Sequence, residues 1–271
     1  LVAVREQQRG LLGPGEFEKA TYDLSGVLRV FREQPTSIAI DGTVRQLLVG
    51  MASGKIYRWA LGDVDDRPRL LRAFSAAEPG MSITAISFIL GDISIAIGDE
   101  CGQVSTWSLI EKEGVRVYLK LHDFQSHAVA ITSLVPSQRN KQFLSGDANG
   151  IIGLHHMTSE QSFFQIESGA VPLAALAFAP KANGFAALSM GGRLVGYELK
   201  NPHPEITPRV LFDKIWYEAY PKPAYVWQST GGTDAFEPKL GLIPLIFGTA
   251  KGTIYAMLLA LPIAVLAAIY T

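Results

Sequence analysis

The 271-residue chain has a single cysteine, Cys101, which excludes an intramolecular disulfide framework. It has no excess of either charge: 24 Lys+Arg against 25 Asp+Glu give a formal net charge of −1. That balance points away from nucleic acid as a partner, and no block of like charge suggests an interaction tail. Charge as a whole is scarce, at 18% of residues, against about 25% in an ordinary soluble domain. The 26 glycines follow no three-residue period, which excludes a collagen-like chain. With 48% hydrophobic residues, the chain has ample apolar surface to bury and is not mainly disordered. No charged segment leads into an apolar run after Leu1, so no signal peptide is visible.

Motifs for chemistry are lacking too. No GxSxG, Walker A, HExxH or Rossmann fingerprint occurs, so neither catalysis nor a cofactor is expected. The five histidines are His122, His127, His155, His156 and His203. The adjacent His155 and His156 resemble a metal pair, but neighbours on a strand face opposite ways and do not readily share a site. Asp99 and Asp147 lie in GD-x-x-G turns, Gly98–Gly102 and Gly146–Gly150. There an aspartate commonly stabilises the turn by bonding its own backbone. Met190–Gly192 is expected to be a hairpin turn rather than a phosphate loop. Cys101, beside a turn, is expected to be structural.

What is present divides into two parts. From Leu240 to Thr271 the only charged residue is Lys251, and the last 19 residues, Thr253–Thr271, carry no charge. At about 1.5 Å per residue that stretch nearly spans a hydrocarbon core about 30 Å thick. A surface helix of a soluble domain would need a polar face, which this one lacks. Pro262 is tolerated in such a helix, because neighbours can satisfy the freed carbonyl. The remainder of the chain has ordinary globular composition.

That remainder repeats. The segments LLVGMASGKIYRWAL (Leu47–Leu61), IAIGDECGQVSTWSL (Ile95–Leu109), FLSGDANGIIGLHHM (Phe143–Met157) and AALSMGGRLVGYEL (Ala186–Leu199) share a strand, a glycine turn and an alternating strand. The turn glycines Gly54, Gly102, Gly150 and Gly192 are spaced 48, 48 and 42 residues apart. A period in the forties with this pattern marks β-propeller blades. Asn149-Gly150 and Gly191-Gly192 suit two-residue hairpin turns. Further strands precede three of the turns, at Ile83–Ile89, Ala130–Pro136 and Leu173–Pro180. The repeats resemble WD40 repeats, with the usual Trp-Asp end reduced to Trp59-Ala60, Trp107-Ser108, His155-His156 and Tyr197-Glu198. In WD40 repeats a histidine placed like His127 bonds a turn aspartate, which implies an His127–Asp147 pair. The expected fold is mainly β: a WD40-like propeller of at least four blades, then a linker and the start of a transmembrane α-helix.

Prolines 202, 204 and 208 mark a boundary after Leu199. Beyond it cluster Phe212, Trp216, Tyr217, Tyr220, Tyr225 and Trp227, either as an interfacial aromatic belt or as packing against the propeller. The segment YEAYPKPAYVWQSTGGTDAFEPKLGLIPLIFGTAKGTIYAMLLALPIAVLAAIYT (Tyr217–Thr271) is similar to the start of the core of a binding-protein-dependent ABC transporter permease. The resemblance is to the long-form phosphate permease of the PstC type. Ile243-Pro244-Leu245, Gly248-Thr249, Ala260-Leu261-Pro262 and Ala267-Ala268-Ile269-Tyr270 match that family's first core helix. The marked positions are Pro244, Gly248, Thr249, Pro262, Ala268 and Tyr270.

Long members of the family carry a WD40-like insert ahead of this helix, so the resemblance implies an internal fragment. Residues 1–34 would be a partial blade or N-terminal segment, 35–199 the propeller, 200–240 the linker and 241–271 the truncated first core helix. It further implies a bacterial inner-membrane protein, in contact with lipid, with its propeller in the periplasm. The implied partners are a second permease subunit, ATPase subunits that hydrolyse ATP in its place, and a periplasmic phosphate-binding protein. Substrate-path residues would lie beyond Thr271. Two other readings stand beside it: a membrane-tethered WD40-like interaction scaffold without transport activity, and a propeller enzyme, for which no acid, base or metal set is visible.

Overall fold

Alternating side chains and turn glycines produce four successive antiparallel sheets in the computed structural model, which describes residues 2–7, 16–21, 33–62, 68–169, 171–233 and 235–270. A hairpin of β1 (Val2–Gln7) and β2 (Glu16–Thr21) forms a separate two-stranded sheet. Blade 1 follows as β3 (Pro35–Ile40), β4 (Gln46–Met51), β5 (Lys55–Ala60) and β6 (Arg69–Ser75). Blade 2 is β7 (Ile83–Phe88), β8 (Ser94–Asp99), β9 (Val104–Lys112) and β10 (Val115–Asp123). Blade 3 is β11 (Ile131–Pro136), β12 (Gln142–Asp147), β13 (Ile151–His156) and β14 (Gln161–Glu167). Blade 4 has three strands, β15 (Leu173–Phe178), β16 (Gly184–Ser189) and β17 (Leu194–Glu198). The chain is thus a four-blade β-propeller.

Each blade is an up-and-down meander, and the inner strands pack in order: β3 on β7, β7 on β11, β11 on β15. The repeat is visible in the register. Leu47 pairs with Trp59, Ile95 with Trp107, Phe143 with His155 and Phe185 with Tyr197. Blade faces bury apolar residues against the next blade: Leu48 and Ile56 meet Ile83 and Ile95, and Leu144 and Leu154 meet Leu173 and Leu176. At Gly50, Gly98 and Gly146 the next blade's inner strand comes so close that a Cβ would lie within 2.7, 2.5 and 2.5 Å of Ile83, Ile131 and Leu173.

The turns correct one expectation. The loops after β8 and β12 and the loop after β16 are closed around three residues, not two. Asp99 N donates to Gln103 O and Ser189 N to Arg193 O, while the glycine N–H donates back to Asp99, Asp147 or Ser189. Only the third loop residue, Gly102, Gly150 or Gly192, has positive φ (82°, 78° and 83°), whereas a two-residue type I′ turn needs two such residues. A side-chain oxygen at the loop start does the rest. Asp99 Oδ1 accepts from Cys101 N and Gln103 N, and Asp147 Oδ1 from Asn149 N and Ile151 N, at 2.9–3.0 Å. The turn role of both aspartates is therefore as expected.

After blade 4 come a short helix α1 (Pro208–Phe212), a two-stranded pair β18 (Trp227–Gln228) and β19 (Lys239–Leu240), and the long helix α2 (Ile243–Tyr270). The apolar run begins its helix ten residues earlier than the uncharged stretch Thr253–Thr271 alone implies. At 28 residues and about 1.5 Å each, α2 is about 42 Å long.

Candidate functional site

The candidate site is the junction where the propeller meets the root of α2. Locally, Thr207 caps α1 by accepting from Val210 N at 3.1 Å, with Pro208 in the first turn where its missing N–H costs nothing. Leu211 O then accepts from Leu242 N at 2.8 Å, and Val226 O from Gly241 N at 2.9 Å, so α1 and the residue just before β18 together fix the start of α2. Gly241 has no room for a side chain, since a Cβ would lie 2.8 Å from Val226 O. Val210, Ile215 and Tyr217 form a small core under this root, joined by Tyr220, Val226 and Leu240.

The linker also docks on the rim of the propeller through charged groups. Glu218 pairs with Lys141 at 2.5 Å, and Lys141 is 3% exposed. Glu237 lies 2.8 Å from His156 Nε2 and accepts from Thr158 Oγ1. Arg209 of α1 pairs with Glu160, which His122 also contacts. Burial pushes the Glu160 carboxyl up, but His122 and Arg209 outweigh it and hold it below the usual carboxylate range. Pro204 O accepts from Ser159 Oγ at 3.1 Å, and Ala219 N donates to Ser108 Oγ at 3.1 Å. Between rim and linker lies a cavity of about 380 Å³, lined in part by Lys141, Glu218, Glu237, Lys239 and Tyr217. Burial, with Glu237 and Tyr220 nearby, pushes the Tyr217 phenol up to about 12. Lys239 lies 5.0, 5.6 and 6.0 Å from the rings of Phe236, Tyr220 and Tyr217, a cation–π cage that burial accompanies with a lowered Lys239 pKa.

The aromatic cluster seen in the sequence divides into a part packed in the junction and an exposed part. Tyr217 is buried in the junction, and Trp216 Nε1 donates to Tyr220 O at 2.8 Å. Phe212, Tyr225 and Trp227 are exposed, and Trp227 pairs with Leu240, three residues before α2. An exposed aromatic collar at the root of an apolar helix is the pattern of a water–lipid interface.

Pro244, Gly248, Thr249, Pro262, Ala268 and Tyr270 all lie along α2, from its first turn to its last residue. No α2 side chain is buried, so the fold brings none of these six into a pocket. Thr249 Oγ1 donates to Leu245 O at 2.8 Å, and Gly248 and Gly252 face open space. The helix is long and apolar enough to cross a membrane.

His127, His155 and His156 act inside blade 3 and at its rim, whereas His122 lies on β10 of blade 2 and His203 in the exposed linker. His127 bonds Asp147 Oδ2 at 3.0 Å and Ser145 Oγ at 2.7 Å, the pair that the repeat resemblance implied. His155 bonds Ser145 and Ser162, whereas His156 bonds Ser159 and faces Glu237, so the two neighbours do use separate surroundings. Burial, then the neighbouring His127, lowers the His155 pKa to about 3. Among the described residues, no three of His, Cys, Asp and Glu converge as a metal-ligand set. Packing of the linker on the propeller was one of the two roles expected of its aromatics, but its polar contacts with the rim leave no local signal in the sequence, because the partners stand as far as 111 residues apart.

No family model and no curated protein sequence matches the chain. In fold it is similar to the Cps50 (Swd1) β-propeller domain of Myceliophteria thermophila, with a TM-score of 0.53 and 10% identity over 69% of this chain and 60% of that one. Two computationally designed proteins also match at 20% identity. Ika4 has a TM-score of 0.48 over 62% of this chain and 93% of its own. Ika8 has a TM-score of 0.47 over 61% of this chain and 46% of its own. These likenesses concern the fold alone.

Proposed function

We propose that the chain is part of the membrane permease subunit of a phosphate-importing ABC transporter, with its propeller as an accessory module in the periplasm. The observation that carries this reading is the segment Tyr217–Thr271. Its sequence is similar to the start of the PstC-type permease core, and it contains a wholly exposed apolar helix rooted in the propeller. Lys251 and Tyr255, with the ammonium 5.5 Å from the ring, suit the headgroup level at one end. The residues from Gly252 to Tyr270 then supply about 28 Å of apolar helix, close to the hydrocarbon thickness. In this arrangement the second permease subunit completes the pore, separate ATPase subunits hydrolyse ATP, and a periplasmic binding protein delivers phosphate. The junction holds the propeller at a fixed attitude to the first core helix.

A second reading, a tethered scaffold without transport activity, is favoured by exposed apolar residues on blade 4, notably Met190 and Leu194. Purification of the affinity-tagged protein from its native membranes in mild detergent separates the two. The importer reading predicts a stable complex with a second multispanning subunit and an ATPase. Recovery without either supports the scaffold.

A further inference from the structure

The cleft between blades 1 and 2 holds positive charge that the fold does not neutralise. Arg58 and Arg72 stand directly opposite each other on β5 and β6, an arrangement of like charges that ordinarily destabilises a sheet. Arg58 is 9% exposed. Its Nε donates to Gln46 Oε1 at 2.9 Å and its Nη1 reaches Arg116 O at 3.5 Å, which leaves other guanidinium N–H groups uncommitted. Among the described residues no carboxylate pairs with Arg58, Arg72, Lys112 or Arg116. Buried charges are normally paired, so an arginine this deep without a counter-ion is an exception needing a cause.

The same four cations line an open cavity of about 550 Å³, within the range of small-ligand sites, and Glu113 is the one carboxylate in its lining, so the cations are in excess. Phe74 and Tyr118 line it too, with their rings stacked at 5.3 Å. The Arg58 guanidinium lies 5.7 Å from the Tyr118 ring centroid. Tyr118 is 5% exposed and its hydroxyl has no hydrogen-bond partner. Two side chains that line one cavity, Tyr118 and Arg58, thus carry a buried unpartnered hydroxyl and an unpaired guanidinium. Burial and the neighbouring Arg116 also push the Arg58 guanidinium down, the direction that a bound anion would reverse.

We propose that this cleft is an oxyanion site that receives a phosphate group between Arg58, Arg72 and Arg116. Planar guanidinium groups bind phosphate through paired charge-assisted hydrogen bonds, and the Tyr118 hydroxyl supplies a further donor. The phosphate group has two available sources, the free ion and a lipid headgroup at the membrane to which α2 is suited. The site stands on blade geometry and does not rest on the importer reading, so either can fail alone.

Calorimetric titration of the full chain in detergent tests it, with inorganic phosphate in one arm and dihexanoyl phosphatidylglycerol in the other. Saturable binding in at least one arm is expected, weakened about tenfold by R72Q or R116Q, both exposed positions that do not threaten folding. R193Q, on blade 4, should bind as the parent does. Binding of inorganic phosphate identifies the free ion as the source, and binding of the lipid probe alone identifies a headgroup. Absence of saturable binding in both arms overturns the proposal. Binding unchanged in the R72Q/R116Q double variant overturns it equally.

Discussion

Lys141 and Glu218 form an ion pair of 2.5 Å across 77 residues of sequence, tying the propeller rim to the segment that leads into the apolar helix. The lysine is almost wholly buried and also donates to Leu90 O. Removing one partner of such a pair costs more than the pair contributes, because the remaining charge stays buried. Glu218→Gln should therefore loosen the linker at a cost of about 1–3 kcal/mol. Limited proteolysis should then cut within residues 231–239 faster than in the parent, while the blades stay protected. Equal cutting rates would mean that the ion pair does not hold the linker.

Two turn glycines with the same φ should respond differently to substitution. A Cβ on Gly102 would lie 2.4 Å from His127 O and 2.7 Å from Val129 O, whereas one on Gly192 meets nothing within 4 Å. Gly192→Ala should cost only the left-handed backbone penalty, about 1–2 kcal/mol. Gly102→Ala should cost clearly more, since backbone must move as well. Urea unfolding of both variants measures the difference, and equal costs would contradict the close approach.

The buried His155 gives stability a definite pH slope. Its pKa is lowered from 6.5 to about 3, so the folded chain keeps it neutral where the unfolded chain protonates it. The unfolded state binds the extra proton, so stability is complete above about pH 6.5 and falls on acidification toward pH 3. The slope is about 1.4 kcal/mol per pH unit at its steepest. Glu160, held below 4.5, adds its own acid loss only at lower pH. His155→Gln should flatten the slope between about pH 6.5 and 4.5, as read by urea midpoints. An unchanged slope would assign the proton elsewhere.

The blades were legible in the sequence because their causes are local. Alternation at Ile56–Leu61 and the turn glycines at 54, 102, 150 and 192 depend on near neighbours. The turn geometry departs from the two-residue expectation because it depends on a side-chain oxygen at the loop start, Asp99 or Asp147, rather than on the Asn-Gly pair alone. A second glycine series, Gly50, Gly98 and Gly146, has the same 48-residue spacing and was there to be found. Contacts between distant segments left no such trace. Glu218 and Glu237 look like solvated linker charges until Lys141 and His156 are placed against them. Arg58 looks like one polar position of an alternating strand until blade 2 closes over it. The permease-like positions were recognised by resemblance, and the fold sets them along one exposed helix.

Cys101 offers a test of sidedness. It is the sole cysteine and is exposed beside the β8–β9 turn. Under the proposed orientation, a membrane-impermeant maleimide should label it in intact spheroplasts, with no increase on lysis. Labelling only after lysis would place the propeller in the cytoplasm.

Uptake of radiolabelled phosphate at limiting concentration, in cells whose gene for this sequence is disrupted, tests the importer reading most directly. High-affinity uptake should be lost and should return when the intact gene is supplied. Uptake equal to that of the parent cells, with no change on restoring the gene, would contradict it.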